Sequence, residues 1–435
     1  VATVILVTRS ASDGRLTHEV ARQLSSRPKI IVLVGATLML LLLLPGMPKW
    51  PVAVIVAIAG LIWWFGRKTV DTAPEEMEAT VDAPAPADSA AAAPAVEVCM
   101  GVKLAEAWRP LQPALTQRLA AFREQFTREM GLTLPAVGFR QDDRLDPSAY
   151  QVRLHGDRFA HAVLHLDKTL AVHAGAGEGT LPGIKTQDPA FGLPALWIEN
   201  ALVTTARSQG YTPVDPMTVF VTHVSEVLRA NAARLLNRST LVAMLEGARD
   251  RQPGLVEEVV PQVLAVSDIQ HVLHGLLEEG VSVRNLDLIL EVLADRGRIE
   301  KDPVRLGEAV RQRVGHAICR RLAGDTDALS VLTLEPRLEQ VLLERLDPAA
   351  VTGMALPPTT AESLLAKTAT QVEAMLRKNL VPVLLCRAEL RWPLRVFTRR
   401  SLPRLTVLSM QEVSAAVHLS SFGVVRVGPD ALNAP

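Results

Sequence analysis

Apolar and polar positions along the chain fall into two regimes. Near the N-terminus the apolar residues come as nearly unbroken runs, Ile30–Leu44 and Trp50–Phe65. Each is near the short end of the roughly 17–25 residues that cross a bilayer. The Pro45-Gly46-Met47-Pro48-Lys49 turn between them cannot continue a helix. The pair predicts a transmembrane helical hairpin, with spans near 30–48 and 50–66 in a membrane segment 1–68. The alternative is a hairpin buried in a large soluble core. Arg15, Arg22, Arg27 and Lys29 precede the first span, Arg67 and Lys68 close the second, and the turn has only Lys49. That asymmetry places both flanks in the cytoplasm. Val1–Val7 is apolar too, and is expected to be the tail of a further span in a chain that starts at Val1 without its true beginning.

From Val98 onward the apolar residues are spaced periodically instead. Leu111, Leu115, Leu119, Phe122, Phe126 and Met130 make one helix face, and Gly131 is a fitting stop. Segments 136–140, 149–155 and 160–166 read as short strands between turn residues. Helices are expected at 194–208, closed by Gly210, and within 214–236, starting near Asp215-Pro216. A helical region follows, with Ser239 and Ser267 as N-caps and Leu286, Ile289, Leu290 and Leu293 on one face of 283–296. After Pro303 the pattern alternates: helix 303–322, strand 328–334, helix 362–378, strands 381–386 and 406–409. That alternation predicts a small α/β unit.

Between the regimes, 69–97 is rich in Ala and Pro and carries Asp71, Glu75, Glu76, Glu78, Asp82 and Asp88. Large apolar residues are scarce, so it reads as a flexible tether. The stretch Gly179–Ile198, GTLPGIKTQDPAFGLPALWI, is different again. Its prolines and glycines argue against a helix or a central strand. Yet Phe191, Leu193, Leu196 and Trp197 are too dense for a solvated loop. It is expected to be a rigid apolar crossing packed between folded units.

Composition narrows the function classes. Lys+Arg and Asp+Glu balance at 46 each and aromatic content is 4%, so neither a basic field nor base stacking supports a nucleic-acid partner. Cys99, Cys319 and Cys386 are far apart and form no disulfide framework or zinc motif. Gly179 to Thr186 approaches a phosphate-binding loop, but Ile184 separates Gly183 from Lys185 and Pro182 lacks the N–H such a cradle needs. His155, His161, His165 and His173 cluster without completing a metal set, and His161 and His165 are expected on one strand face. Arg387, Arg391, Arg395, Arg399, Arg400 and Arg404 recur largely at helical spacing, as a solvated face or a surface for an acidic partner. No cofactor or metal is implied. The residues alone point to a membrane-tethered scaffold rather than an enzyme.

Several stretches carry a specific resemblance: GTLPGIKTQDPAFGLPALWIENAL (179–202), QGYTPVDPMTVFVTHVSEVL (209–228), PGLVEEVVPQVL (253–264), GLLEEGVSVRNLDLILEVLAD (275–295) and PVLLCRAELRWPLRVFTRRSLPRLTVLSMQEV (382–413). With them, nearly the whole chain except the tether resembles the FlhA/SctV (FHIPEP) export-gate family of bacterial type III secretion, nearest its flagellar branch. The resemblance implies an α+β multidomain fold. It comprises the remnant of a larger membrane domain, the tether, and a cytoplasmic domain of four subdomains. Expected bounds are 98–145 plus 193–213 for the first, 146–192 for an inserted strand-rich second, 214–299 for a helical third and 300–435 for an α/β fourth.

It further implies an inner-membrane, multi-pass export gate with its large C-terminal domain in the cytoplasm, assembled as a nine-subunit ring. Implied partners are export chaperone–substrate complexes, other export-gate membrane proteins, and the export ATPase complex with its stalk. The family's chaperone-binding residues match Asp188, Phe191 and Thr222 here, with the alternative that Phe191 only packs between subdomains. The family's membrane domain is larger than the hairpin offered here, and the tail after Val413 departs from flagellar relatives. Competing readings are a virulence-injectisome gate of the same family, a membrane-anchored nucleotide hydrolase and a membrane receptor or signalling scaffold.

Overall fold

Three four-stranded sheets organise the described residues. The computed structural model describes residues 94–173, 181–324, 326, 328–346, 354 and 356–428. The hairpin expected at 30–48 and 50–66 and nearly all of the tether lie outside the described residues. Among the described residues no helix is long and apolar enough to cross a membrane.

The first sheet has the order β2-β1-β3-β4, with β1 Val96–Met100, β2 Val137–Gln141, β3 Ala149–Leu154 and β4 Asp157–Val163. β1 pairs parallel with β2 and antiparallel with β3. It begins at Val96, inside the segment expected as tether. Helices α1 (Val102–Trp108) and α2 (Gln112–Met130) join β1 to β2. α2 buries Leu115, Leu119, Phe126 and Met130 of the expected face, with Phe122 partly buried and Leu111 exposed in the 3-10 turn before the helix, and ends at Gly131 with φ +77°. Gly131 is obligatory there. A Cβ would sit 2.3 Å from Arg284 Cα.

The second sheet, β6-β7-β5-β8, is fully antiparallel: β5 Lys168–His173, β6 Ile184–Gln187, β7 Pro194–Glu199, β8 Tyr211–Val214. Two expectations fail here. The helix expected at 194–208 is strand β7, a 3-10 turn at Asn200–Leu202 and then α3 (Val203–Ser208). The stretch thought unable to be a central strand supplies β7, an interior strand. Pro194 is tolerated because it is the first strand residue. Strand pairing also crosses the expected subdomain bounds. β3 and β4, expected in the 146–192 insert, complete the first sheet, while β7 and β8, expected in the first subdomain, pair with β5.

A helical region follows: α4 Pro216–Ala230, α5 Ala232–Leu235, α6 Arg238–Arg251, α7 Pro253–Val259, α8 Val266–Glu278, α9 Leu286–Arg296, α10 Pro303–Arg313 and α11 Gly315–Ala323. α4 starts as its sequence predicts, with Asp215 accepting from Thr218 N–H at 3.0 Å and Pro216 at the first turn. The caps of α6 and α8 are not the predicted serines. Asn237 accepts from Thr240 N–H, and the Asp268 carboxylate accepts from Ala265 N–H. The single helix expected at 303–322 is α10 and α11, broken at Val314. Gly315 lets the Glu412 backbone approach where a Cβ would lie 2.3 Å from its carbonyl oxygen.

The third sheet, β11-β10-β9-β12, is all parallel: β9 Ala328–Leu334, β10 Val383–Cys386, β11 Thr406–Ser409 and β12 His418–Val425. Helices α12 (Pro336–Glu344), α13 (Pro358–Arg377) and α14 (Ala388–Thr398) complete the α/β unit. Every residue of β10 is buried, which is why it reads as an unbroken apolar run.

Where α14 meets the helical region, the arginines expected on a solvated face are split. Arg399, Arg400 and Arg404 are exposed, but Arg391 is 0% exposed. It donates to Glu279 at 2.7 and 3.2 Å and to Glu308 at 2.5 Å. Arg311 of α10 pairs with Glu279 at 3.3 Å and lies 2.6 Å from Glu412 without hydrogen-bond alignment. Burial pushes the Glu279 carboxyl up, but Arg311 and Arg391 outweigh it and hold that carboxyl below the usual range. For Glu308 burial wins and its carboxyl rises.

Candidate functional site

The DPAF segment forms a tight turn at the end of β6. Asp188 laces it three times. Its N–H donates to Leu193 O at 2.8 Å, its carbonyl accepts from Gly192 N–H at 2.8 Å, and its carboxylate accepts from Phe191 N–H at 2.8 Å. Gly192 takes φ +70°, which lets the chain return into β7. Asp188 is buried, so its carboxylate is committed to the turn. It is a positioning residue for what the turn displays.

What the turn displays is Phe191, which is 48% exposed. An aromatic ring left half in water is unusual on a turn held this firmly. From the α/β unit, exposed Arg404 reaches the Phe191 carbonyl at 3.3 Å.

Thr222 lies on α4 and is half-buried. No hydrogen bond links it to Asp188 or Phe191 among the described residues. The turn is connected to α4 one residue further on. Tyr150 of β3 and His223 of α4 form a buried pair, Oη to Nδ1 at 2.6 Å, on both of which the Asp188 charge acts as a lesser influence than burial. Burial drives the Tyr150 phenol well above its usual range and depresses the His223 imidazole. Tyr150 is thus protonated and His223 neutral at pH 7, so the pair shares a single hydrogen bond. Phe220 packs edge-on against Tyr150 at 4.8 Å and Trp108 at 4.9 Å, fixing α4 on the first sheet.

Beside the turn lies an open cleft of about 570 Å³, lined by β4, β6 and Asp188, Pro189 and Gly192 of the turn. His161 is on β4, but His165 follows the strand and packs edge-on against Trp197 at 5.5 Å, so the two do not share a strand face. His155 occupies the β3–β4 turn at φ 51°, and His173 packs edge-on against Tyr211 at 4.6 Å. Of the four, His161 and His165 line the cleft, and His155 and His173 do not. Lys185 and Thr186 lie in β6, so the phosphate-loop likeness leads into a strand rather than a helix N-terminus.

Sequence reasoning missed the Tyr150–His223 pair, the Arg404 contact and the burial of Arg391. A buried His at the 3–4 spacing of Val219, Phe220 and Val224 on α4 was the available signal for His223.

The family model described as "FHIPEP family" matches residues 1–418. The chain is 33% identical to the flagellar biosynthesis protein FlhA of Bacillus subtilis, over 98% of this chain and 64% of that protein. It is 35% identical to FlhA of Escherichia coli, over 95% and 60%. It thus spans under two thirds of the length of these relatives. Among solved structures it is similar to the Chlamydia pneumoniae CdsV protein, with TM-score 0.69 and 21% identity, covering 78% of this chain and all of that one. CdsV in its complex with CdsO gives TM-score 0.64 at 21% identity, covering 78% and 99%. Nonameric EPEC SctV-C gives 0.61 at 21%, covering 78% and 100%. These three share the fold. With its family model spanning all but the C-terminal tail, the chain belongs to the FHIPEP family.

Proposed function

We propose that this chain is the docking part of a flagellar-type protein export gate, receiving chaperone–substrate complexes at the Asp188–Leu193 turn and helping to order their export. The observation that carries the reading is Phe191, a half-exposed aromatic on a turn laced by a buried carboxylate. A rigid aromatic beside a cleft is what anchors a partner's apolar side chain. Thr222 contributes a hydroxyl from α4, and Asp188 acts through the turn.

Membership of the family and the similarity to flagellar FlhA proteins support the flagellar assignment. The apolar hairpin at 30–48 and 50–66 anchors the chain in the inner membrane, with the C-terminal domain in the cytoplasm. The chain acts by docking, without catalysis of its own. The likeness to a nonameric SctV-C and to CdsV bound to CdsO supports self-association into a nine-subunit ring and contact with the stalk of the export ATPase complex. Other export-gate membrane proteins complete the assembly. The fold likeness to CdsV and SctV-C keeps an injectisome gate as the second reading.

Electron microscopy of membranes carrying the tagged full chain tests the assembly. Nine-fold rings that co-purify with flagellar chaperone–substrate complexes are expected. A dispersed protein that retains none of them contradicts the proposal.

A further inference from the structure

The 570 Å³ cleft is bounded by two sheet edges. β4 is the outer strand of the first sheet, β6 the outer strand of the second, and both contribute walls. The register shows which backbone groups face outward. Leu164 N–H donates to Ser148 O, and Ala162 and Ala160 stand opposite Tyr150 and Val152. By the alternation of an antiparallel ladder, those positions bond to β3. The N–H and C=O groups of His161 and Val163 therefore point to the open side. A sheet edge is a template for another strand, and proteins usually blunt it with charge, proline or a covering segment. Here charge is confined to the start of β4, at Asp157 and Arg158; Phe159 lies under Arg234 at 5.4 Å, Val163 at the end of the strand is exposed, and β6 exposes Ile184 across the cleft. The polar walls are His161, His165, Lys185, Thr186 and Gln187, while the buried Asp188 carboxylate is turned into its own loop.

We propose that the β4 edge binds an extended, acidic polypeptide segment by strand addition. His161 and Val163 supply the backbone hydrogen bonds, and Lys185 supplies the charge that favours acidic side chains, with the two histidine rings as hydrogen-bonding groups beside it. The site adjoins the Phe191 turn but uses main-chain groups of another strand, so it stands independently of docking through Phe191. An unfolded segment fits because only an extended chain can match the repeat of a strand edge.

A fluorescent decapeptide of alternating Glu and Val, titrated into the full chain in mild detergent, tests this. The peptide is expected to bind and to protect the His161 and Val163 amides from hydrogen exchange. N-methylation of alternate residues, or Lys in place of Glu, should weaken it roughly tenfold or more, about the loss of one hydrogen bond or charge pair. Val163→Pro removes only an outward N–H from a residue already in strand conformation, and should weaken binding similarly, while Val163→Thr, which keeps the N–H, should not. Phe191→Ala should leave the peptide affinity unchanged, which separates this site from chaperone docking. No binding, equal binding of the N-methylated peptide, or indifference to Val163→Pro overturns the proposal. So does self-association of the chain that Val163→Pro abolishes, because a second copy would then occupy the edge.

Discussion

Replacing Arg391 by alanine strikes the junction between the helical region and the α/β unit. Arg391 is fully buried and serves two carboxylates, Glu279 at 2.7 Å and Glu308 at 2.5 Å. Truncation leaves both largely out of water, with Arg311 the nearest remaining cation and already in contact with Glu412. Breaking a buried ion pair from one side costs about 3–5 kcal/mol, because the orphaned carboxylate keeps its desolvation penalty. Arg391→Met refills the volume but leaves the same orphans, so it should recover little. Adding Glu279→Gln and Glu308→Gln to Arg391→Met should recover most of the loss.

The pH dependence has a definite sign. In the native protein the Glu279 pKa is depressed below its unfolded value of 4.5, so its contribution is present above that value and is lost as pH falls through the folded pKa. In Arg391→Ala the carboxyls lose a charge partner and two hydrogen-bonding edges and their pKa values rise, so mild acid protonates them and relieves the penalty. The destabilisation should therefore shrink between pH 7 and pH 5. Urea titration with hydrogen exchange across α14 reads this locally, as a chain of several units need not unfold in one step. A cost at pH 7 below about 1 kcal/mol, or one that grows on acidification, would refute the reasoning.

Three further outcomes are expected. Native stability should fall as pH drops below about 6.5, since burial lowers the His223 pKa and the unfolded chain then binds the proton more readily; His223→Gln should flatten that slope in denaturant titrations. Gly131→Ala should destabilise by about 3 kcal/mol or more, through its φ of +77° and the 2.3 Å approach to Arg284 Cα, seen as a lower urea midpoint. Asp188→Ala should speed amide exchange at Phe191 and weaken chaperone–substrate binding together, at about 1.5–3 kcal/mol for a lost bond to a charged acceptor, while Asp188→Asn keeps an acceptor and most of both.

Local chemistry was legible wherever one residue type has one use. Gly131 after an apolar face marked the end of α2, and Asp215-Pro216 marked the start of α4, because a left-handed cap and a carboxylate–proline N-terminus have few substitutes. β7 was misread because Ala195-Leu196-Trp197-Ile198 is a short apolar run whose period does not separate strand from helix. The serine caps were misplaced because both helices start two residues earlier: Asn237 takes the Thr240 N–H ahead of Ser239, and Asp268 reaches back to the Ala265 N–H ahead of Ser267. Arg391 could not have been found from spacing. Its partners lie 83 and 112 residues away, and only the tertiary fold turns that side of α14 inward. At the candidate site, the sequence located the turn and its aromatic. That Asp188 is consumed by the turn depends on backbone geometry no pattern reveals.

Calorimetric titration of the full chain with a flagellar chaperone–substrate complex, comparing native protein with Phe191→Ala, tests the central claim most directly. Phe191 retains 48% of its exposure, about 100 Å² of a side chain of roughly 200 Å². Burying that area at about 25 cal/mol per Å² is worth about 2.5 kcal/mol. The account predicts an affinity loss of roughly fiftyfold to a hundredfold with unchanged urea stability. Equal affinity of the two proteins would contradict it.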